Sequence, residues 1–211
     1  MKPAERRARL ESARLYLVTD GRRPDLLAFL DDVLGAGVDM VQLREKEAEA
    51  AEVLRLAEPF RAAAERHDAL FVVNDRPDVA YALDADGVHL GQDDLPVRIA
   101  RELLGPDVII GLSTHSPDQL EAASPDADYV CVGPVWETPT KPGRPAAGLE
   151  VVRHAASTER RPWFAIGGIG PDTIGEVARA GARRVVVVRA VTESADPGAA
   201  VLTLRASLPA S

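Results

Sequence analysis

Three polar side chains in one short segment have the spacing needed to bind a phosphate group together. Gln42, Arg44 and Lys46 occupy every second position after the apolar start of this segment at Met40. In an extended strand every second side chain lies on the same face, so these three would point the same way. Arginine offers phosphate a planar fork of donors, and lysine offers a compact positive charge. The pattern predicts a cationic clamp for a diphosphate; the alternative is a charged, solvated strand end.

Carboxylates follow the next two apolar segments. Asn74 and Asp75 come directly after one segment, and Asp93 and Asp94 come shortly after the other. Magnesium at a diphosphate is usually held by one or two carboxylates together with phosphate oxygens. We therefore predict that Asp75 and Asp94 bind magnesium. Two other uses stay open: the Asn-Asp pair could cap the following helix, and the Asp-Asp pair could form a turn.

A serine and two histidines add polar groups near the ends of other apolar segments. Ser113 and His115 follow one segment, and His89 lies within another. Neither histidine is paired in the sequence with an obvious nucleophile, so both fit a structural or polar-core role better than that of a general base. The single cysteine, Cys131, lies in an apolar run and is interpreted as a small core residue.

The elements that must position these residues recur as a strand, a polar turn and a helix. Strands are predicted at 15–18, 40–43, 70–73, 87–90, 108–112, 129–132, 163–166 and 184–188. Helices are predicted near 24–34, 48–66, 78–83, 96–104, 173–180 and 196–208. Two more are predicted with one bound only: one begins at 116, and another ends at about 156. This alternation favours a parallel sheet with right-handed crossovers. Eight such units predict an α/β fold, a (β/α)₈ TIM barrel. The barrel is predicted to be a single domain over residues 1–211, with a short N-terminal helix within 1–12. The alternative is an open, doubly wound sheet.

A second anion site is predicted at the last two strands. In such a barrel the active site lies at the carboxyl ends of the strands. Gly167 and Gly168 follow the seventh predicted strand, and Val188 and Arg189 end the eighth. Backbone amides at these two positions of a barrel often bind phosphate. Two phosphate-bearing ligands in one barrel mouth suggest a transferase whose leaving group is a diphosphate.

The long predicted loop at 133–148 carries hydroxyl groups and a lysine. Thr138, Thr140 and Lys141 lie within it, and its length suits a lid over a substrate. The threonines could instead stabilise the loop itself. Trp136 could cover the site or pack the loop, and the sequence does not separate these uses.

Composition limits the classes of partner. The chain has 211 residues, 46% of them hydrophobic, and a net charge of -8. This charge argues against a nucleic-acid surface, which is normally basic. One cysteine excludes an intramolecular disulfide and fits a reducing compartment. With no apolar run long enough for a membrane span and no signal-like N-terminus, a cytoplasmic protein is expected; homo-oligomerisation is left open.

The ordered set of motifs resembles the thiamine-phosphate synthase family, also called thiamine-phosphate pyrophosphorylase. The matching segments cover nearly the whole chain: QLREK at 42–46, VNDR at 73–76, GVHLGQDD at 87–94, GLSTH at 111–115, TPTK at 138–141 with Gly148 after it, and GGI at 167–169. The resemblance implies that a hydroxymethylpyrimidine diphosphate and a hydroxyethylthiazole phosphate are joined to give thiamine phosphate, with release of diphosphate and with magnesium, or manganese in its place.

The resemblance also implies a role for each matching residue. The pyrimidine diphosphate would be held by Gln42, Leu43, Arg44, Glu45, Lys46, Asn74, Ser113 and Lys141. The thiazole phosphate would be held by Thr138, Pro139, Thr140, Gly168, Val188 and Arg189, the last through its side chain or only its backbone amide. Magnesium would be held by Asp75 and Asp94. Catalysis would depend on Arg44, Lys46, Ser113 and Lys141.

The mechanism implied by the resemblance is dissociative. The bond to diphosphate breaks first, the aminopyrimidine stabilises the carbocation, and the thiazole nitrogen attacks it. This chemistry needs stabilisation of the leaving group more than a general base. The alternatives are a thiazole tautomerase of the same superfamily, in which His115 would transfer the proton, and a non-catalytic barrel that binds thiamine phosphates.

Overall fold

Eight parallel strands close into a barrel, since each strand pairs with the next along the chain and the eighth pairs with the first. This computed structural model describes residues 2–138 and 145–209. The strands are β1 Leu15–Thr19, β2 Met40–Leu43, β3 Leu70–Asn74, β4 Gly87–Leu90, β5 Ile109–Thr114, β6 Tyr129–Val132, β7 Trp163–Ile166 and β8 Val185–Val187. The predicted (β/α)₈ barrel is confirmed, and the alternative of an open, doubly wound sheet is wrong.

Helices follow the strands and surround the barrel. They are α1 Pro3–Ser12, α2 Leu26–Gly35, α3 Ala50–Arg66, α4 Pro77–Leu83, α5 Val97–Leu104, α6 Pro117–Glu121, α7 Gly148–Thr158, α8 Ile174–Arg179, α9 Arg189–Thr192 and α10 Pro197–Ala206. The prediction missed α9, because one turn is too short to show a helical period. Within the described ranges, no helix has both the length and the apolar character that crossing a membrane requires.

The two faces of each strand enter different cores, because side chains alternate across a strand. Outward-facing residues such as Leu17, Val41 and Leu43 pack in the core shared with the helices. Inward-facing residues such as Tyr16 and Met40 form a second, smaller core inside the barrel. The alternation predicted for β2 is therefore observed, with Leu43 facing the helices and the neighbouring polar residue facing the barrel axis.

The N-terminal helix α1 closes the end of the barrel opposite the site. Its residue Leu10 joins the core inside the barrel. The buried Arg6 donates from Nε to an Asp86 carboxylate oxygen at 3.0 Å and from a guanidinium nitrogen to the Asp107 carbonyl at 3.0 Å. These two acceptors precede β4 and β5, so α1 covers the amino ends of the strands. The opposite, carboxyl end is left for ligands.

Candidate active site

Two adjoining cavities lie at the carboxyl ends of the strands. The polar cavity has a volume of about 250 Å³ and is lined by Arg44, Lys46, Asn74, Asp75, His89, Gly91, Gln92, Asp93, Asp94, Ser113 and His115. The apolar cavity has a volume of about 370 Å³ and adjoins β5 to β8 and their loops. Ser113 and His115 line both, so the two cavities meet at the end of β5. The barrel mouth can therefore hold two ligands side by side.

The cationic clamp predicted from the end of β2 lies in the polar cavity. Arg44 and Lys46 both line it, as their two-residue spacing requires. The Lys46 ammonium is 3.2 Å from Oδ2 of Asp75, and its side chain is about half exposed. The ammonium therefore contacts a carboxylate on one side and remains accessible to an anionic ligand on the other.

Asn74 contributes a buried donor that has no partner among the residues that the structure describes. Its side chain is buried, it lines the polar cavity, and its Nδ2 has no hydrogen-bond acceptor among the described residues. A buried amide without a partner is unfavourable by about 1–3 kcal/mol, and native proteins rarely keep one unless something else satisfies it. A phosphate oxygen in the cavity would satisfy it. The capping alternative for Asn74 is wrong, because the N-cap position of α4 is occupied by Arg76.

Asp75 and Asp94 form a carboxylate pair in the polar cavity. Burial raises the pKa of the Asp75 carboxyl above its ordinary value, and a hydrogen bond with Asp94 and that residue's charge raise it further, while Lys46 lowers it. Two carboxylates this close repel each other when both are ionised, and a divalent cation would relieve this. The donor set, two aspartates with room for phosphate and water, fits magnesium. The described residues contain no cluster of three or more carboxylate, histidine or cysteine ligands. A magnesium ion at this pair would therefore need further oxygen ligands from the substrate and from water.

The backbone also places this pair. Asp75 has a φ of 61° and therefore adopts the left-handed conformation, which aspartate and asparagine tolerate better than most residues. Asp75 does not occupy the N-cap position of α4 either, so the capping alternative is wrong for Asp75 as well. Asp94 accepts a hydrogen bond from the Gly91 amide through Oδ2 at 2.6 Å. The turn alternative for Asp94 is thus partly correct, since one oxygen fastens the 91–94 turn.

The apolar cavity has the backbone of an anion site along one wall. Gly167 and Gly168 have φ values of 105° and 68°, and a Cβ at Gly168 would lie 2.8 Å from Cβ of Trp136. Trp136 therefore packs against this turn. Val188 and Arg189 line the same cavity, where α9 begins. This brings together the two segments predicted to hold the thiazole phosphate.

Thr138 also lines the apolar cavity. The Arg189 guanidinium is 3.8 Å from a carboxylate oxygen of Glu193, and both side chains are about half exposed or more. Such an exposed pair is weak, so an incoming phosphate can compete for the guanidinium. The sequence reasoning missed Glu193, which directly follows the unpredicted helix α9.

Some predicted residues do not reach either cavity. Leu43 is buried against the helices. The Glu45 carboxylate instead accepts from the Gly21 amide at 2.8 Å and from Nε of Arg22 at 3.1 Å. Any contact of Leu43 or Glu45 with a ligand would therefore be through the backbone. Three further predicted residues, Pro139, Thr140 and Lys141, lie outside the described residues.

Gln42 points into the barrel beneath the polar cavity and begins a buried series of hydrogen bonds. We call this series the interior relay, and its members in order are Gln42, Tyr16, Tyr129, His89 and Ser113. Each member lies on a different strand, in the order β2, β1, β6, β4 and β5. The series ends at Ser113, where the two cavities meet. Sequence reasoning missed both tyrosines because each stands in an apolar run, where a tyrosine looks like core. His89 has the polar-core role expected of it.

His115 is held by the backbone of the neighbouring loop. Its Nδ1 lies 2.6 Å from the Gly133 carbonyl oxygen, which can only accept, so Nδ1 carries a proton. Its backbone amide donates to Oε1 of Gln119 at 2.9 Å. This ring is thus oriented at the junction of the cavities.

Comparison with known proteins agrees with this geometry. The sequence profile described as thiamine monophosphate synthase matches residues 15–191. The thiamine-phosphate synthase of Acidothermus cellulolyticus is 61% identical over 209 residues, which cover 97% of this chain and 99% of that protein. The chain belongs to the thiamine monophosphate synthase family. The activity of this family is that of a thiamine-phosphate synthase, which is a transferase.

More distant members support the same assignment. The thiamine-phosphate synthase of Mycobacterium tuberculosis is 53% identical over 217 residues, with 96% of this chain and 98% of that protein covered. The solved structure of a thiamine phosphate pyrophosphorylase from Pyrococcus furiosus superposes with a TM-score of 0.84 at 35% identity, covering 95% and 96% of the two chains. The resemblance predicted from the ordered motifs is confirmed.

Proposed function

We propose that the chain joins a pyrimidine bearing a CH₂-diphosphate to the ring nitrogen of a thiazole phosphate, giving thiamine phosphate and diphosphate. The observation that carries this proposal is the pair of cavities that meet at Ser113 and His115. One cavity is lined by cations and carboxylates, and the other by apolar side chains and a glycine turn. Each suits one substrate, and their junction suits the bond between them.

The polar cavity would hold the diphosphate. Arg44 and Lys46 would bind its oxygens. Nδ2 of Asn74, which has no partner in the described part of the chain, would donate to one of them. Asp75 and Asp94 would hold magnesium, or manganese in its place, which supplies positive charge to the departing diphosphate. The predicted role of Lys141 adds a third cation from the neighbouring loop. Charged donors fixed in place before reaction are the means by which such sites stabilise a leaving group.

The apolar cavity would hold the thiazole phosphate. Amides at the positive-φ glycines Gly167 and Gly168 and at the start of α9 would bind the phosphate, with the Arg189 guanidinium beside them. Ile166, Val186 and Val188 provide apolar contact for the ring. Thr138 lines the same cavity and could orient this substrate, and Pro139 and Thr140 are predicted from the sequence to bind it as well.

The proposed mechanism is dissociative. The bond from the pyrimidine CH₂ to oxygen breaks, its electron pair leaves with the diphosphate, and the thiazole nitrogen then gives its lone pair to the CH₂ carbocation. The residues of this chain need only hold two reactants in line and exclude water, which would otherwise capture the cation as an alcohol. No general base is required at the nitrogen. This agrees with the polar cavity, where cations and carboxylates predominate.

Incubation of the purified protein with both substrates and magnesium tests this function. Thiamine phosphate and diphosphate should form in equal amounts, and no thiamine phosphate should form when one substrate is omitted. Isomerisation of a thiazole phosphate without any pyrimidine would indicate the tautomerase instead. Binding of both compounds without turnover would indicate the non-catalytic barrel. The cytoplasmic location and the oligomeric state are separate predictions, which cell fractionation and analytical ultracentrifugation would test.

A further inference from the structure

The interior relay places polar groups where the barrel is otherwise apolar. Tyr16 and Tyr129 have no exposed surface, and both belong to the core inside the barrel. Burial of a hydroxyl without a partner is unfavourable, so each hydroxyl needs its hydrogen bonds. Their oxygens are 3.0 Å apart, and Tyr129 is also 3.0 Å from Nδ1 of His89. Packing alone would be served by phenylalanine, which is what Phe164 provides at 5.6 Å between ring centroids.

The chemistry of each group gives the relay a direction. The Gln42 amide donates through Nε2 to the Tyr16 hydroxyl, and an amide NH₂ cannot accept. Of the two partners described for the Tyr16 hydroxyl, only Tyr129 has a lone pair to receive its proton. Burial raises the pKa of both phenols well above their ordinary range, so each keeps the one proton it can donate.

The direction continues to the cavities. Tyr129 accepts from Tyr16, and its own proton therefore goes to Nδ1 of His89. A neutral imidazole that accepts at Nδ1 carries its proton on Nε2. This Nε2 lies 2.9 Å from Oγ of Ser113, which becomes the acceptor. The Ser113 hydroxyl must then donate its proton elsewhere, and it lines both cavities.

We propose that the interior relay holds the Ser113 hydroxyl as a donor toward a ligand oxygen at the junction of the two cavities. Tyr16, Tyr129 and His89 act as positioning residues, since they work through Ser113. The ligand group that fits is a phosphate oxygen, because a hydroxyl donating to an anion makes a stronger hydrogen bond than one donating to a neutral group. This inference rests on the proposed function in taking the diphosphate as the anion that Ser113 meets.

The tautomer of His89 is the direct readout. The wild-type protein, labelled with ¹⁵N-histidine, should show a ring with the proton on Nε2, and comparison with a His89→Gln variant assigns the signals among the four histidines. In Tyr129→Phe the donor to Nδ1 is lost, and the ring should no longer prefer this tautomer. Tyr16→Phe should change the tautomer less, because the Tyr129 hydroxyl can still donate to the ring.

Turnover gives a second readout. Tyr129→Phe should lower kcat by about tenfold with KM changed by less than about twofold, as expected when an interaction made mainly in the transition state is lost. Phe164→Leu is the matched control for packing, since it disturbs the same aromatic cluster without removing a hydroxyl. It should leave the His89 tautomer unchanged.

Two results would overturn the proposal. One is a wild-type His89 with its proton on Nδ1, which can be measured even if Tyr129→Phe does not fold. The other is an unchanged tautomer in a folded Tyr129→Phe protein. The spectrum requires no turnover, so an inactive protein with the proton on Nε2 of His89 would contradict the proposed function and leave the relay supported.

Discussion

Replacement of Asp94 by asparagine removes one negative charge from the carboxylate pair while nearly keeping the shape of the side chain. Asparagine keeps an oxygen that can accept from the Gly91 amide, as Oδ2 of Asp94 does at 2.6 Å. The variant loses the negative charge that helps to raise the pKa of Asp75. We therefore expect Asp94→Asn to be more stable than the wild type in the absence of metal, and less able to use magnesium.

The size of the effect follows from the surroundings of the pair. Two like charges about 4 Å apart repel by about 1 kcal/mol in water and by about 4 kcal/mol at an effective dielectric constant of about 20. The Asp75 side chain is 22% exposed, and Lys46 at 3.2 Å already offsets part of the repulsion. A gain of about 1 kcal/mol in the free energy of unfolding is therefore expected, which for a chain of this size raises Tm by about 2–4 °C.

The stability gained by Asp94→Asn should be larger at neutral pH than at acidic pH. Because the Asp75 pKa is raised in the folded state, the folded protein holds a proton that the unfolded chain releases as pH rises. The wild type thus loses stability as pH rises from the ordinary aspartate range through this raised pKa. The advantage of Asp94→Asn should be full at neutral pH and should shrink as pH falls toward the ordinary aspartate pKa.

Denaturant unfolding in EDTA, repeated with magnesium and diphosphate, measures both effects. With the ligands present the wild type should gain more stability than the variant, because binding stabilises the folded state in proportion to affinity. Asp93→Asn is the matched control: Asp93 is an exposed neighbour lining the same cavity, and its replacement should change neither result. An Asp94→Asn protein that is less stable than the wild type in EDTA at neutral pH would show that Asp75 and Asp94 do not destabilise the metal-free fold by repulsion.

Two further predictions test the separate cavities. Arg44→Ala should weaken binding of the pyrimidine diphosphate by about 2–3 kcal/mol, because hydrogen bonds to charged groups are worth about 1.5–3 kcal/mol each. Binding of the thiazole phosphate should be unchanged. Equal losses of affinity for the two ligands in calorimetry would contradict two separate sites. Gly168→Ala should reduce stability by about 1–3 kcal/mol and weaken thiazole phosphate binding, because φ is 68° and the new Cβ would meet Trp136 at 2.8 Å. Gly170→Ala, whose Cβ would meet only Ala190 at 3.5 Å, should do neither, and equal effects at both glycines would show that the turn is not special.

Periodicity predicted the barrel well because each apolar run is short and ends at a turn. β2 and β4 have the predicted bounds, Met40–Leu43 and Gly87–Leu90. β5 runs on to Thr114, beyond the predicted end, because Ser113 and Thr114 pair with β6. Polar residues that pair in a barrel cannot be told from loop residues by hydropathy alone.

The candidate site was predicted only where polar residues follow a strand. Arg44, Lys46 and the two magnesium candidates do so, and all line the polar cavity. Tyr16 and Tyr129 were missed because their partners are far away in sequence, 113 residues apart for their mutual hydrogen bond. Only the closure of the barrel brings their hydroxyls together. A tyrosine at an inward-facing position in each of two strands, β1 and β6, is the signal that could have indicated them.

A crystal structure with thiamine phosphate and diphosphate bound would show whether each cavity binds its own phosphate group. We predict that the diphosphate contacts Arg44 and Lys46 in the polar cavity. The phosphate of thiamine phosphate should lie against Gly168 and the start of α9, with the new bond beside Ser113. Both phosphate groups in one cavity, or a product lying away from the barrel mouth, would contradict the assignment of one cavity to each substrate.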